Sequence, residues 1–363
     1  MDLSVGRAER GLAFSLDEVT GAVGDSVTVL PVVVAVAALT DLGLPLLLLW
    51  FGVFQVVWGL WYGHPVSVEP MKALAALVIA GSLSVAELAL AGTLAGGVLL
   101  ALGAVGALGA LADRIDDAVI RGVQLAVALV LARTGVELGA ADPAVALGAA
   151  AVGVAVAAVG YPRASALAVL ALGVGLAGAE TGLPGLAVPD LWVGVAVAPT
   201  ADALSATAAQ LAMTVGNAAV ATSLLLSDLF DAEVSPDELS ASMGAMNLVA
   251  VPLGAFPMCH GSGGVAGKYA FGARTAGSNV VLGVLYAGAA LGAAGLVAAF
   301  PLAALGVVLV LVAAQLARTS LRTDSVGLTV GIGVLGLLTN VGFAFFAGIA
   351  VSALRSRVGG SAA

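Results

Sequence analysis

Apolar runs of bilayer-crossing length recur along this chain, and a backbone inside lipid must satisfy its own hydrogen bonds, so such runs fold as helices. Breaks at charges or at Pro and Gly place crossings at 20–40, 43–62, 84–109, 117–136, 143–160 and 164–180. A second series follows at 201–226, 238–254, 277–298, 299–317, 325–339 and 340–354. Two further segments, 65–82 and 254–272, open with Pro-containing extended stretches and turn helical only afterwards, so each reads as a broken crossing. With 61% of 363 residues apolar and 10% charged, no soluble domain fits beside about 14 segments of this kind. The expected fold is an all-α polytopic membrane protein.

Lysine and arginine set the orientation, because acidic residues add little to the positive-inside bias. With Arg7 and Arg10 cytoplasmic and each broken segment counted as one crossing, Arg114, Arg163, Arg274, Arg318, Arg322, Arg355 and Arg357 all fall at cytoplasmic ends. Loops with Glu137, Asp142, Glu180 and Asp190 fall outside. Both termini are then cytoplasmic, in a multi-pass protein of the cell membrane. Seven crossings per half, an odd number, force the second half to insert upside down relative to the first. The expectation is therefore two inverted repeats, 1–185 and 186–363.

Self-comparison supports the repeat. Gly24-Asp25 corresponds to Gly216-Asn217 (217 − 25 = 192), and Gly52 to Gln55 corresponds to Gly244 to Asn247 (247 − 55 = 192). The broken segments match as Pro70-Met71 against Pro257-Met258, with the offset slipping to 257 − 70 = 187.

Glu69-Pro70-Met71-Lys72 reads as an extended stretch that enters a helix with Pro near its start, where the missing N–H costs nothing. The stretch Pro257-Met258-Cys259-His260-Gly261-Ser262 repeats the arrangement. Unwound backbone at membrane depth is tolerated only where it is buried in protein or lines a cavity. Two helix N-termini meeting there form an anion site, to which Lys72 adds a cation. For a dianion about 4 Å away at an effective dielectric near 20, each half-charge contributes on the order of 4 kcal/mol. The N–H groups around Met71, Lys72, Cys259, His260 and Gly261 are expected to matter more than any one side chain.

The same residues resemble a known family. Gly24-Asp25, Pro31, Glu69-Pro70-Met71-Lys72-Ala73, Gly216-Asn217, Met246-Asn247-Leu248, Pro257-Met258-Cys259-His260-Gly261 and Phe271-Gly272-Ala273-Arg274-Thr275 are similar to the MOT1-type molybdate transporters of the sulfate permease superfamily. The resemblance spans roughly residues 18 to 345. It implies a seven-plus-seven inverted-repeat fold, with a core domain drawn from segments within 20–109 and 201–298. A gate domain would come from 117–180 and 299–354. It further implies an oxyanion held between the N-termini of segments 65–82 and 254–272, around Pro70, Met71, Lys72, Met258, Cys259, His260, Gly261 and Ser262. Molybdate is the first expectation, and sulfate or tungstate carriage or a passive anion channel is the alternative.

One departure stands out: the family pattern has Gln before Pro-Met-Lys, and this chain has Glu69. A carboxylate about 6 Å from a dianion repels it by on the order of 5 kcal/mol at a dielectric near 20. Glu69 must therefore pair with Lys72 at i+3, point away, or be protonated when substrate binds. The last would make a proton or another cation a co-substrate.

Asp25 and Asn217, repeat-related and early in their crossings, divide between lining the path and structural bonding. Gln55 and Asn247, one crossing before each break, are placed to donate to an oxyanion or to cap the unwound backbone. Arg274 is placed to complement a helix C-terminus. Trp58, Trp61 and Tyr62 read as an interfacial aromatic belt. Cys259 and His260 are adjacent on one chain and form no nucleophile–base pair, and one Cys with two His is thin for zinc. Ser262 lacks the surroundings of an intramembrane protease, so no enzyme, cofactor or metal is expected. Thirteen basic against 22 acidic residues, a net charge of −9, exclude nucleic acid as partner. The expected partners are the oxyanion, the lipid bilayer and a second copy in a homodimer.

Overall fold

A computed structural model describes residues 12–182, 185–186, 188, 193–292, 297 and 299–360. Arg7, Arg10 and Asp190, used above to orient the chain, lie outside them. The first half comprises α1 (Leu16–Leu39), α2 (Leu44–Tyr62), β1 (Val68–Pro70), α3 (Lys72–Ile79), α4 (Val85–Val105), α5 (Leu108–Ala112), α6 (Asp117–Ala141), α7 (Pro143–Ala158) and α8 (Ser165–Thr181). The second begins with α9 (Ala201–Met213), which runs through a π-helical turn, Thr214–Val220, into α10 (Ala221–Phe230). There follow α11 (Pro236–Ala250), β2 (Met258–His260), α12 (Ser262–Ala270), α13 (Gly277–Gly292), α14 (Leu302–Ser320), α15 (Val326–Leu338) and α16 (Val341–Gly360).

Helix starts are written in local chemistry. Ser84 with Glu87 and Ser235 with Glu238 form capping boxes that open α4 and α11, and Asp142 caps α7 ahead of Pro143. Glycines in the left-handed conformation, Gly63 and Gly106, stop α2 and α4. Among the described residues, six helices are long and apolar enough to cross a bilayer: α1, α2, α4, α6, the α9–α10 unit and α14. Five shorter apolar helices take further expected crossings, and α11 the remaining one.

Packing follows a two-fold pattern. α2 packs on α13 as α4 packs on α11, and α1 packs on α12 as α3 packs on α9. In a second group α6 and α14 lie together at the centre. Around them α8 contacts α14 as α16 contacts α6, and α7 contacts α14 as α15 contacts α6. Exchanging the halves reproduces each of these contacts, which makes the fold a seven-plus-seven inverted repeat.

The two strands form one antiparallel pair with register Val68↔His260, Glu69↔Cys259 and Pro70↔Met258. This register corrects the repeat alignment. Strand starts and half-helix starts both differ by 190 residues (258 − 68 and 262 − 72), so Glu69 is equivalent to Cys259 and Lys72 to Ser262. Pro257-Met258 precedes the position of Pro70-Met71 by three residues, because Pro257 leads into β2 whereas Pro70 ends β1.

Candidate oxyanion site

The strand backbone lies at the centre of the bundle, where every N–H and C=O needs a protein partner. Two repeat-related amides meet that need. Gln55 Nε2 donates to Val68 O at 3.2 Å, and Asn247 clasps Met258, donating to its carbonyl at 2.6 Å and accepting from its N–H at 2.8 Å. Met71 N–H donates across to Pro257 O at 2.9 Å. Gln55 and Asn247 thus hold the strands from behind, fully buried.

Asp25 is also behind the strands. Its carboxylate accepts from Gln55 Nε2 at 2.7 Å and from the Ser67 hydroxyl at 2.5 Å, and it pairs with Lys268 Nζ at 3.1 Å. Lys268 donates further to Gln55 Oε1, Val66 O and Asn279 Oδ1 at 2.9 to 3.0 Å, so two buried charges are closed into one network. Lys268 escaped the sequence reading as a buried cation, since near the end of α12 it looks like an ordinary C-terminal charge. The usable signal was Asp25, a carboxylate at depth that requires a partner.

A cavity of about 200 Å³ lies in front of the strands. Of the residues singled out from sequence, Lys72, Cys259, His260, Gly261, Ser262 and Asn217 line it. Pro70, Met71 and Met258 are buried, and they, with Asp25, Gln55 and Asn247, do not line it. Thr28, Gln210, Thr214 and Gly263 join from α1, the α9 unit and α12, and the facing wall is α6 with Gln124 and α14 with Gln315 and Thr319. Those polar residues sit singly in apolar helices, a pattern that carries no spacing signal.

Both half-helix ends already hold an oxygen. Gln210 Oε1 accepts from the N–H groups of Ala73 and Leu74 at 2.9 and 3.4 Å, capping α3. At α12 the cap is Glu69: its Oε1 accepts from Gly264 N–H at 2.6 Å and from the Thr28 hydroxyl at 3.2 Å, and its Oε2 is ion-paired to Lys72. Of the three fates open to Glu69, pairing at i+3 is the one observed. Only glycine fits beneath it, because a Cβ on Gly261 would run into the Glu69 carboxyl and one on Gly264 into Asp25 and Ser67.

His260 is held on both nitrogens, Nδ1 at 3.0 Å from Ser67 O and Nε2 at 2.7 Å from the Ser242 hydroxyl. Trp58 and Tyr62 set their rings edge-on against it. The aromatic belt is therefore divided: Trp61 is exposed, while Trp58 and Tyr62 wall the histidine. Arg274 donates to Tyr269 O and Ala273 O at the end of α12, stacks on the Tyr269 ring and does not line the cavity.

Two inverted seven-segment halves, joined at their broken helices around a central cavity, define a membrane transporter of the inverted-repeat class. The transmembrane domain of a cyanobacterial bicarbonate transporter, BicA, has the same fold, with a TM-score of 0.68 over 91% of this chain and 97% of that one at 18% identity. A family model described as "Molybdate transporter of MFS superfamily" matches residues 17–131 and 202–316, one stretch in each half. Molybdate transporter 2 of Arabidopsis thaliana is 30% identical over 85% of this chain and 79% of its own length. Molybdate transporter 1 of the same plant is 31% identical over 86% and 81%. The chain belongs to this molybdate transporter family.

Proposed function

We propose that the protein is a secondary active carrier of a tetrahedral oxyanion, molybdate first, coupled to a proton at Glu69. The observation that carries this reading is Glu69 itself, a carboxylate seated on the N-terminus of α12 and ion-paired to Lys72. The place where a substrate anion is expected already accommodates carboxylate oxygens. A dianion can approach Lys72 and the first turn of α12 only when Glu69 gives up its charge, and a proton supplies that change. The names of the plant relatives point to molybdate as the anion.

In this reading the segments within 20–109 and 201–298 form the core, and those within 117–180 and 299–354 the gate. The cavity lies between them and runs to Thr319, an exposed residue in the last turn of α14 beside Arg318. By the positive-inside rule that face is cytoplasmic, as are both termini, in the cell membrane. On the opposite face α9 is tied to the α15–α16 junction, Ser205 Oγ donating to Asn340 Oδ1 at 2.5 Å, beside a second cavity of about 320 Å³ lined by Asp202, Ala206 and Val341. Core-against-gate movement would exchange the two openings.

The test is molybdate uptake into liposomes holding the purified protein, with sulfate as competitor and a proton gradient imposed or collapsed. Accumulation that requires the gradient and persists in excess sulfate is expected. Downhill flux alone would make the protein a channel, and full competition by sulfate would make it a general oxyanion carrier.

A further inference from the structure

The two walls of the cavity differ. The wall that carries the half-helices supplies Lys72 and the first turn of α12, whereas the lining residues of α6 and α14 are all uncharged. Within that second wall Gln124 is anomalous. It is only 5% exposed, and its Oε1 is buried with no hydrogen-bond partner. In the π-helical turn, whose Gly216 packs on Ile120 of α6, Asn217 lines the same cavity and its Nδ2 is likewise buried and unpartnered. A buried amide left unpaired is destabilising, and a pair of them lining one cavity points to a polar occupant. π-helical turns of this kind are frequent at functional sites. An amide's oxygen and nitrogen exchange places by a half-turn, so Gln124 can present N–H to an anion with little movement.

We propose that Gln124 is the oxyanion contact from the α6/α14 wall and the residue that makes the site measure anion size. The inference rests on reading this cavity as the oxyanion site. Lys72 and the α12 N-terminus fix one side of the tetrahedron. Gln124 meets the far oxygens only if the ion is large enough to span the gap. Molybdate and sulfate share charge and shape and differ in size, so the larger ion completes the amide's hydrogen bonds and the smaller leaves it unpaired. A site that leaves a buried polar group unpaired with the wrong ligand discriminates more strongly than one that merely fits loosely.

The experiment compares wild type with Gln124→Met, which keeps the length and removes the amide, and Gln124→Ala. Equilibrium binding of molybdate and of sulfate to purified protein is read beside uptake and melting temperature. Both variants are expected to weaken molybdate binding by about tenfold and sulfate binding by less than about twofold, so that the preference collapses. Melting temperature stays near wild type. If Gln124→Met binds molybdate as wild type does, the amide makes no contact and the inference is overturned. Equal losses for both anions overturn it too, since the contact then measures nothing. A wild-type protein that binds no molybdate overturns the site reading and this inference together.

Discussion

Lys268 shows how much a single buried charge holds together. It joins Asp25, Gln55, Asn279 and the carbonyl of Val66, and so anchors the segment entering β1. Lys268→Met leaves Asp25 buried without its cation and is expected to cost about 3–5 kcal/mol, read as a lower melting temperature in detergent. Removing both charges with Asp25→Asn should recover part of that loss, whereas additive losses would show the pair to be uncoupled. At Glu69 the expected change is in coupling. Under the proposed coupling, wild-type uptake is expected to rise on acidification, because the proton taken up would cancel the charge that repels the anion. Glu69→Gln is uncharged at every pH, so its uptake should be flat with pH and should no longer accumulate molybdate against its gradient. An unchanged pH profile would remove the proton from the mechanism. At this scale the sequence placed Asp25, Glu69 and Lys72 at depth and showed that Asp25 needed a partner. Lys268 stayed hidden because partner choice between distant helices leaves no local pattern, and Gln124 because a single polar residue in an apolar helix carries no spacing signal.

Elements were more legible than residues. Crossings were readable because apolar runs end at capping serines, prolines and glycines, and the two broken segments because Pro stands where a helix would otherwise run on. The register between them was not readable, since Pro257 and Pro70 serve opposite ends of equivalent strands. Nor was the π-helical turn at Thr214–Val220, where an inserted residue looks like any other in an apolar run. α1 and α12 approach through Gly24 and Gly267, and a Cβ on either would lie 2.9 Å from the other's carbonyl oxygen. Gly267→Leu should therefore force the helices apart and break the Asp25–Lys268 pair that spans them. The expected result is loss of monodisperse protein on size exclusion. A well-behaved, active variant would mean that the helices tolerate separation.

At the scale of the whole molecule, the proposed alternating access predicts that the site opens to one side at a time. Cys259 is the chain's single cysteine and lines that cavity, so it is a built-in reporter. A membrane-impermeant maleimide should label it from the arginine-rich face and not from the other, and molybdate should protect it. Cutting the Ser205–Asn340 tie with Asn340→Ala should raise labelling from the far side, whereas equal labelling from both sides in wild type would contradict access from one face at a time. The paired strands carry a different consequence. Glu69 and Cys259 are equivalent residues and also face each other, so they sit on the axis that relates the halves. In a chain whose halves were identical, any residue at that point would confront a copy of itself, and a carboxylate there would meet a second carboxylate. Identical halves could keep such a pair only by sharing a proton, so a lone ionised carboxylate on the axis is open only to a protein whose two copies have diverged. The neutral thiol of Cys259 is the divergence that lets this one keep a single negative charge at its centre.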